Sequence, residues 1–77
     1  MSSSILNDFG KLYDAELLYR KAIELNPDFE IAHYNLGNIL RSQGKLHDAE
    51  LLYRKAIELN PDYANAHSNL GKTLRDL

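Results

Sequence analysis

The chain has 77 residues, of which 44% are hydrophobic and 26% charged, and it contains no cysteine. This composition is typical of a folded globular protein rather than a disordered one. A domain of this size has a small core, and without cysteine neither disulfide bonds nor a thiolate metal site can reinforce it. The 9 basic and 11 acidic residues give a net charge of −2. No basic field is therefore present to attract nucleic acid, and we expect no such partner.

The amino-terminal segment MSSSILNDFGK lacks the cationic start and the long apolar stretch of an export signal. Nowhere do about 18 apolar residues follow one another, as a membrane span requires. We therefore expect no association with membranes and, by default, a cytoplasmic location.

The sequence repeats itself. Residues 10–43 align with residues 44–77 without a gap, and 25 of the 34 pairs are identical. The segment DAELLYRKAIELNPD occurs unchanged at 14–28 and at 48–62. All but one of the differences lie after this segment, so the chain alternates between a constant part and a variable part.

The first predicted element is a short helix near residues 3–9, with Ile5, Leu6 and Phe9 as its apolar residues. Gly10 follows this helix and occupies the position of Gly44 one repeat later. Because glycine commonly ends helices, we expect a turn at Gly10.

The constant part predicts a helix over 12–25 and another over 46–59. Apolar residues recur there at steps of three and four, which is the spacing of a helix face; they are Leu12, Ala15, Tyr19 and Ala22, then Leu46, Ala49, Tyr53 and Ala56. Asn-Pro-Asp follows each helix, at 26–28 and 60–62. Proline disfavours the helical conformation in the residue before it, and the aspartate is suited to cap the next helix.

The variable part predicts helices over 30–42 and 64–76. Its apolar residues also have helical spacing; they are Ala32, Leu36, Ile39 and Leu40, then Ala66, Leu70 and Leu74. Gly44 is expected to supply a positive φ at the end of the first of these helices. Connections this short join antiparallel neighbours, so the predicted fold is all-α, built from antiparallel helix-turn-helix repeats.

A helix-turn-helix unit of 34 residues with these features resembles the tetratricopeptide repeat. The matching residues are Leu36-Gly37, Leu70-Gly71, Gly10, Gly44, Ala15, Ala49, Tyr19, Tyr53, Ala22, Ala56, Pro27 and Pro61. The resemblance implies one domain, 1–77, forming a short right-handed α-solenoid of about two and a quarter repeats. A partial repeat at 1–29 would precede a full repeat at 30–63 and a lone first helix at 64–77.

Two positions depart from the family pattern: His33 and His67 replace its tryptophan, while Leu40 and Leu74 replace its tyrosine. Neither of these histidines has a histidine or carboxylate three or four residues further on, so we predict packing roles for both. His47, which stands where the first copy has Tyr13, is expected at the surface. No nucleophile comes with a base and an orienting group. We therefore predict no enzyme activity, no cofactor and no metal site.

In tetratricopeptide arrays the first helices line a concave groove, and the resemblance places most of the variable residues there. The candidate site residues are Ile31, Tyr34, Asn35, Asn38 and Arg41 from one repeat and Asn65, Ser68, Asn69, Lys72 and Arg75 from the next, with Ser42 and Asp76 beside them. Asn35 and Asn69 recur in mid-helix although asparagine is a poor helix former. Their amides suit the backbone of an extended peptide; the alternative is that both are merely solvated.

Two functions are compatible with this sequence. The chain is either an adaptor whose groove binds an extended segment of a partner protein, with Arg41, Lys72 and Arg75 favouring an acidic one, or a structural module that self-assembles. Uncovered apolar faces on the terminal helices favour a homo-oligomer, most simply a dimer. An excised or designed fragment of a longer array is a further alternative. The family's carboxylate clamp is disfavoured, because Tyr34 stands where its first lysine is expected.

Overall fold

The computed structural model describes the backbone of residues 2–77 and the side chains of residues 10–77. Its helices are α1 (Ser2–Leu25), α2 (Glu30–Ser42), α3 (Leu46–Leu59) and α4 (Ala64–Asp76). Each helix packs against the next, and α2 also contacts α4. The described residues contain no strand, and none of their helices is long and apolar enough to cross a membrane. The predicted all-α fold is confirmed.

The turn expected at Gly10 is wrong. Gly10 lies inside α1, which runs without a break from Ser2 to Leu25. Continuing a helix through one glycine costs about 1 kcal/mol, whereas a separate helix would have to be nucleated again for only about two turns. The expected apolar residues of that short helix, Ile5, Leu6 and Phe9, lie outside the residues whose side chains are described.

The connection between α2 and α3 confirms the prediction at Gly44, which has a φ of 79°. The Gly44 N–H donates to the carbonyl of Arg41 at 3.0 Å, and the Lys45 N–H donates to that of Leu40 at 2.9 Å. This pair of bonds is a Schellman motif, which satisfies carbonyl groups left over at the helix end. Glycine is needed here because only it adopts the positive φ without strain.

The Asn-Pro-Asp segments at 26–28 and 60–62 end α1 and α3, as predicted. The expected aspartate caps are wrong: the N-cap of α2 is Phe29, and neither α2 nor α4 has a side-chain hydrogen bond at its cap. Instead, Asn26 Oδ1 accepts a hydrogen bond from the Asp28 N–H at 3.3 Å, and the second copy repeats this contact at 3.2 Å. Asparagine therefore shapes the turn through its own side chain.

The core lies between α2 and α3. Leu36 and Leu40 of α2 form a buried cluster with Ala49 and Tyr53 of α3. A Cβ atom on Gly37 would lie 2.8 Å from Cε1 of Tyr53. Because side-chain carbons do not approach so closely, glycine at this position lets the tyrosine ring lie directly on α2.

The two copies of the constant helix differ in burial although their sequences are identical. Tyr53 and its flanking alanines in α3 are 0% exposed, whereas Tyr19 and its flanking alanines in α1 are only half-buried. The reason is that α3 packs between α2 and α4, while among the described helices α1 packs on α2 alone. Burial is thus set by the neighbours that each copy has.

Candidate functional site

A concave pocket of about 550 Å³ lies between α2 and α4, near the start of α3. Its lining residues are Asn38, Arg41, Ser42, Leu46, Asn69 and Asp76. All of these are site residues predicted from the sequence except Leu46, the first residue of α3, for which the sequence predicts only a place on an apolar helix face. Leu46 supplies apolar surface to a pocket that is otherwise polar.

Asn38 is the centre of a hydrogen-bond network in this pocket. Its Oδ1 accepts hydrogen bonds from the Tyr53 hydroxyl at 2.5 Å and from Asn69 Nδ2 at 2.9 Å. Asn69 Nδ2 also donates to the Tyr34 hydroxyl at 3.1 Å. The bonds join α2, α3 and α4, so the two amide groups are held in place by every helix that borders the pocket.

In each of these amides, one polar group makes no hydrogen bond to a described side chain and can therefore bind a ligand. None of the side chains that the structure describes bonds to Asn38 Nδ2 or to Asn69 Oδ1. The first of these atoms is a donor and the second an acceptor, and a peptide unit presents the complementary acceptor and donor. The pair is therefore suited to bind peptide backbone.

Three tyrosine rings lie together at this network, and two of them, Tyr34 and Tyr53, take part in it. The ring centroid of Tyr34 lies 4.9 Å from that of Tyr63 and 5.9 Å from that of Tyr53. Burial raises the pKa of Tyr53, and burial together with the nearby Tyr34 hydroxyl raises the pKa of Tyr63. Both hydroxyls therefore remain protonated at neutral pH, and that of Tyr53 donates to Asn38.

Sequence reasoning missed Tyr53 and Tyr63 as parts of the site. Tyr53 belongs to the constant helix, whose residues were interpreted as packing residues only. Tyr63 replaces Phe29 of the first copy. That substitution adds a hydroxyl, and this was the only signal in the sequence.

Asp76 lies between two arginines at the end of the pocket. Its carboxylate is 3.9 Å from Arg41 Nη2 and 3.7 Å from Arg75 Nε. Lys72 is exposed one turn earlier on α4. Three cationic side chains and one carboxylate side chain lie here, so the side chains of this part of the groove carry a positive charge although the net charge of the chain is negative.

The remaining candidate residues lie outside the pocket lining. Asn35 is half-buried, and Ile31, Asn65 and Ser68 are exposed. Asn69 donates its hydrogen bonds to α2, which is the first helix of the preceding repeat. Among the residues whose side chains are described, the network is formed at Asn69 and not at Asn35; α1 is continuous, so no separate first helix precedes Asn35.

The equivalent histidines hold the turns before their helices. His33 Nε2 donates to the Pro27 carbonyl at 2.8 Å, and His67 makes the same 2.8 Å contact with Pro61. His33 is buried, which confirms the packing role predicted for it, whereas His67 is exposed, so the packing role predicted for His67 is wrong. No cluster of three or more potential metal ligands lies among the described residues.

This arrangement of stacked helical hairpins around a groove defines a helical repeat protein of the α-solenoid class. A family profile described as TPR repeat matches residues 37–76, and two profiles described as tetratricopeptide repeat match residues 18–50 and 1–29. The chain belongs to the tetratricopeptide repeat family. Repeats of this family are generally protein-interaction modules and typically not enzymes. No curated protein matches the chain.

Proposed function

We propose that this chain is an interaction module that binds an extended, acidic segment of a partner protein in the groove between α2 and α4. The observation that carries this proposal is the pair formed by Asn38 and Asn69. Both residues line the pocket, both are fixed by hydrogen bonds, and each keeps one amide group available for a ligand.

Asn38 and Asn69 would bind the backbone of the segment rather than its side chains. An extended peptide has unpaired N–H and C=O groups along its whole length, so amide side chains bind it with little dependence on sequence. Because these amides are already held by Tyr34 and Tyr53, little side-chain entropy is lost when the peptide binds.

The arginines would supply the preference for acidic segments. The ion pairs of Asp76 with Arg41 and Arg75 are partly exposed, and pairs of this kind contribute about 1 kcal/mol or less. A carboxylate of the incoming segment therefore displaces Asp76 from Arg41 at small cost. Lys72, exposed on the same helix, adds to the attraction.

A binding experiment tests this proposal. A fluorescent pool of short peptides made of Asp, Glu, Gly and Ala is titrated with the protein, and anisotropy is compared with that of a pool in which Lys and Arg replace the acids. We expect the acidic pool to bind, and the double variant R41A/N69A to bind it at least about tenfold more weakly, which corresponds to about 1.4 kcal/mol.

The matched control is Arg54→Ala, which also removes an exposed arginine paired with a carboxylate, here Glu50 at 2.9 Å. Arg54 does not line the pocket between α2 and α4, so its replacement should leave the affinity unchanged. Equal binding of both peptide pools, or equal losses in both variants, would contradict the proposal.

Self-assembly through the terminal helices is the second candidate function, with a dimer as its smallest product. The observation that favours it is the exposure of α4: Leu74 is 44% exposed, whereas its equivalent Leu40 in α2 is 2% exposed. Fully burying an exposed leucine contributes about 1.5–3 kcal/mol, so covering the exposed 44% of Leu74 would contribute about 1 kcal/mol. A chain that sediments as a monomer at high concentration would rule this function out.

A further inference from the structure

We propose that copies of this chain join head to tail, with α1 of one copy lying in the groove between α3 and α4 of the next. The inference rests on the proposed self-assembly and specifies the junction. A second copy is the occupant because both surfaces of an interface already formed inside the chain occur again on α1 and α4, where no described helix covers them.

The first surface is the groove between α3 and α4. A pocket of about 380 Å³ in this groove is lined by Arg54, Ile57, Glu58, His67 and Leu70. The residues 34 positions earlier are Arg20, Ile23, Glu24, His33 and Leu36, so all five residue types are the same. In the earlier copy, Leu36 belongs to the cluster that contains Ala49 and Tyr53 of α3, and Ile23 packs against that cluster. The groove between α3 and α4 is thus equivalent to the groove between α1 and α2, but only the latter is covered by a further described helix, α3.

The second surface is α1, which carries the residues needed to fill this groove. Its segment 14–28 is identical to segment 48–62, which includes most of α3. Leu18 and Leu25 of α1 are 69% and 74% exposed, whereas their equivalents in α3, Leu52 and Leu59, are half-buried. Leu52 packs against the cluster that joins α3 to α2, so the corresponding face of α1, which carries Leu18, is still uncovered.

Gly71 shows how the two surfaces would fit. Its equivalent, Gly37, accommodates the ring of Tyr53, whereas a Cβ atom on Gly71 would have no neighbour within 4 Å. Tyr19 of a second copy, placed as Tyr53 is on α2, would occupy that space. Its hydroxyl would then face Lys72, which replaces Asn38 in this repeat and can donate to the hydroxyl oxygen.

This junction is heterologous, because it joins two different surfaces. Each dimer leaves one α1 and one α4 uncovered, so further copies add as the concentration rises. Pairing of α4 with α4 would instead be isologous and would close at the dimer.

Two variants, each of which blocks one of the two surfaces, distinguish head-to-tail association from pairing of α4 with α4. Gly71→Leu adds a large side chain on α4 at a position where a Cβ atom has no neighbour within 4 Å, and Leu18→Glu places a charge on a residue that is 69% exposed. We expect wild type to grow with concentration in sedimentation velocity. Each variant alone should associate at least about tenfold more weakly, as for one overpacked or charged contact.

An equimolar mixture of the two variants should form a 1:1 heterodimer that grows no further, because it contains one intact α1 surface and one intact α4 surface. Leu51→Glu is the matched control, since Leu51 is 67% exposed and faces the side of α3 toward α1 of its own chain. It should assemble like wild type. Circular dichroism checks that every variant keeps its helix content.

The possible contrary results are distinguishable. A wild-type chain that stays monomeric overturns both the junction and the proposed self-assembly. Association that survives Gly71→Leu overturns the junction alone. A mixture that fails to recover the heterodimer, while wild type associates, overturns the head-to-tail arrangement, and dimers of Leu18→Glu alone would show that α4 pairs with α4.

Discussion

Gly37 and Tyr53 set how closely α2 and α3 approach, because a Cβ atom on Gly37 would lie 2.8 Å from Cε1 of Tyr53. Gly71 has the same position in the next repeat, yet a Cβ atom there would have no neighbour within 4 Å. The sequence neighbours of the two glycines are nearly the same. The difference arises because α3 packs over Gly37 of α2, whereas no described helix packs over Gly71 of α4.

Replacing each glycine with alanine should therefore have opposite effects on stability. Gly37→Ala overpacks the core, which typically costs about 1–3 kcal/mol, although the better helix propensity of alanine offsets up to about 1 kcal/mol. Gly71→Ala gains the propensity and meets no atom. We expect urea unfolding at low protein concentration to show a destabilised G37A and a stabilised G71A. Equal shifts in the two variants would contradict this account.

The two histidines provide a similar comparison. Each ring donates to a proline carbonyl at 2.8 Å, but His33 is 6% exposed and His67 is exposed. His33→Ala leaves the Pro27 carbonyl without a partner in a partly buried place, so we expect a loss of about 1–3 kcal/mol. His67→Ala allows water to replace the ring and should cost less than about 1 kcal/mol. Thermal and urea unfolding measure both losses, and equal values would contradict the burial argument.

Stability should fall at alkaline pH because of Tyr53. Burial raises the pKa of this hydroxyl in the folded chain above its value in the unfolded chain. Folding therefore retains the proton: the stabilising contribution is complete below the ordinary tyrosine pKa of about 10 and is lost as the pH rises through the folded pKa.

Tyr53→Phe tests this assignment. The variant should be less stable at neutral pH by about 1 kcal/mol, because Asn38 loses the hydrogen bond from the hydroxyl. Its stability should then decline less than that of wild type between about pH 8 and 11. Urea unfolding across this range provides the measurement, and parallel declines in the two proteins would show that Tyr53 is not the group responsible.

Stability should also fall at acidic pH, because of Glu16. The hydrogen bond donated by Gln43 Nε2 at 2.9 Å lowers the pKa of this carboxyl, and the bond from Arg20 lowers it further. The lowered folded pKa stabilises the chain above the unfolded pKa, and this contribution disappears as the pH falls through the folded value. We expect Gln43→Ala to raise the pKa of Glu16 in an NMR titration. Its loss of stability at neutral pH should vanish in acid, and an unchanged titration would contradict the assignment.

Local signals in the sequence were sufficient to predict most of the fold. The predicted helices over 30–42, 46–59 and 64–76 match α2, α3 and α4 residue for residue. Their bounds depend on proline, on Gly44 and on apolar spacing, which act within a few residues of where they stand. Gly10 was predicted wrongly because a glycine ends a helix only when the chain gains by turning, and that gain depends on packing between distant residues.

The site was less predictable for the same reason. Asn38 and Asn69 were named from the variable helices, but the part played by Tyr53 could not be inferred from a segment that occurs twice. Tyr19 has the same neighbours in sequence and makes no such bond among the described residues. Only the packing of α4 beside α2 brings Asn69 to Asn38 and gives Tyr53 its role in the network.

Asp76 should act as a competitor for acidic ligands in the groove. It lies 3.9 Å from Arg41 and 3.7 Å from Arg75, where a carboxylate of the bound segment is expected. Asp76→Asn should therefore strengthen binding of the acidic peptide pool by up to about fivefold, which is the effect of an exposed ion pair of about 1 kcal/mol. The affinity should also become more sensitive to salt, because the uncompensated arginines attract the peptide more strongly.

Asp62→Asn is the control, since it makes the same change in net charge. Asp62 is exposed in the turn before α4, about 20 Å along the helix axis from Asp76 and beyond the screening length in physiological salt. A specific effect predicts tighter binding in D76N alone. Equal gains in both variants would indicate a response to net charge, and no gain in D76N would show that Asp76 does not occupy the position of the ligand carboxylate.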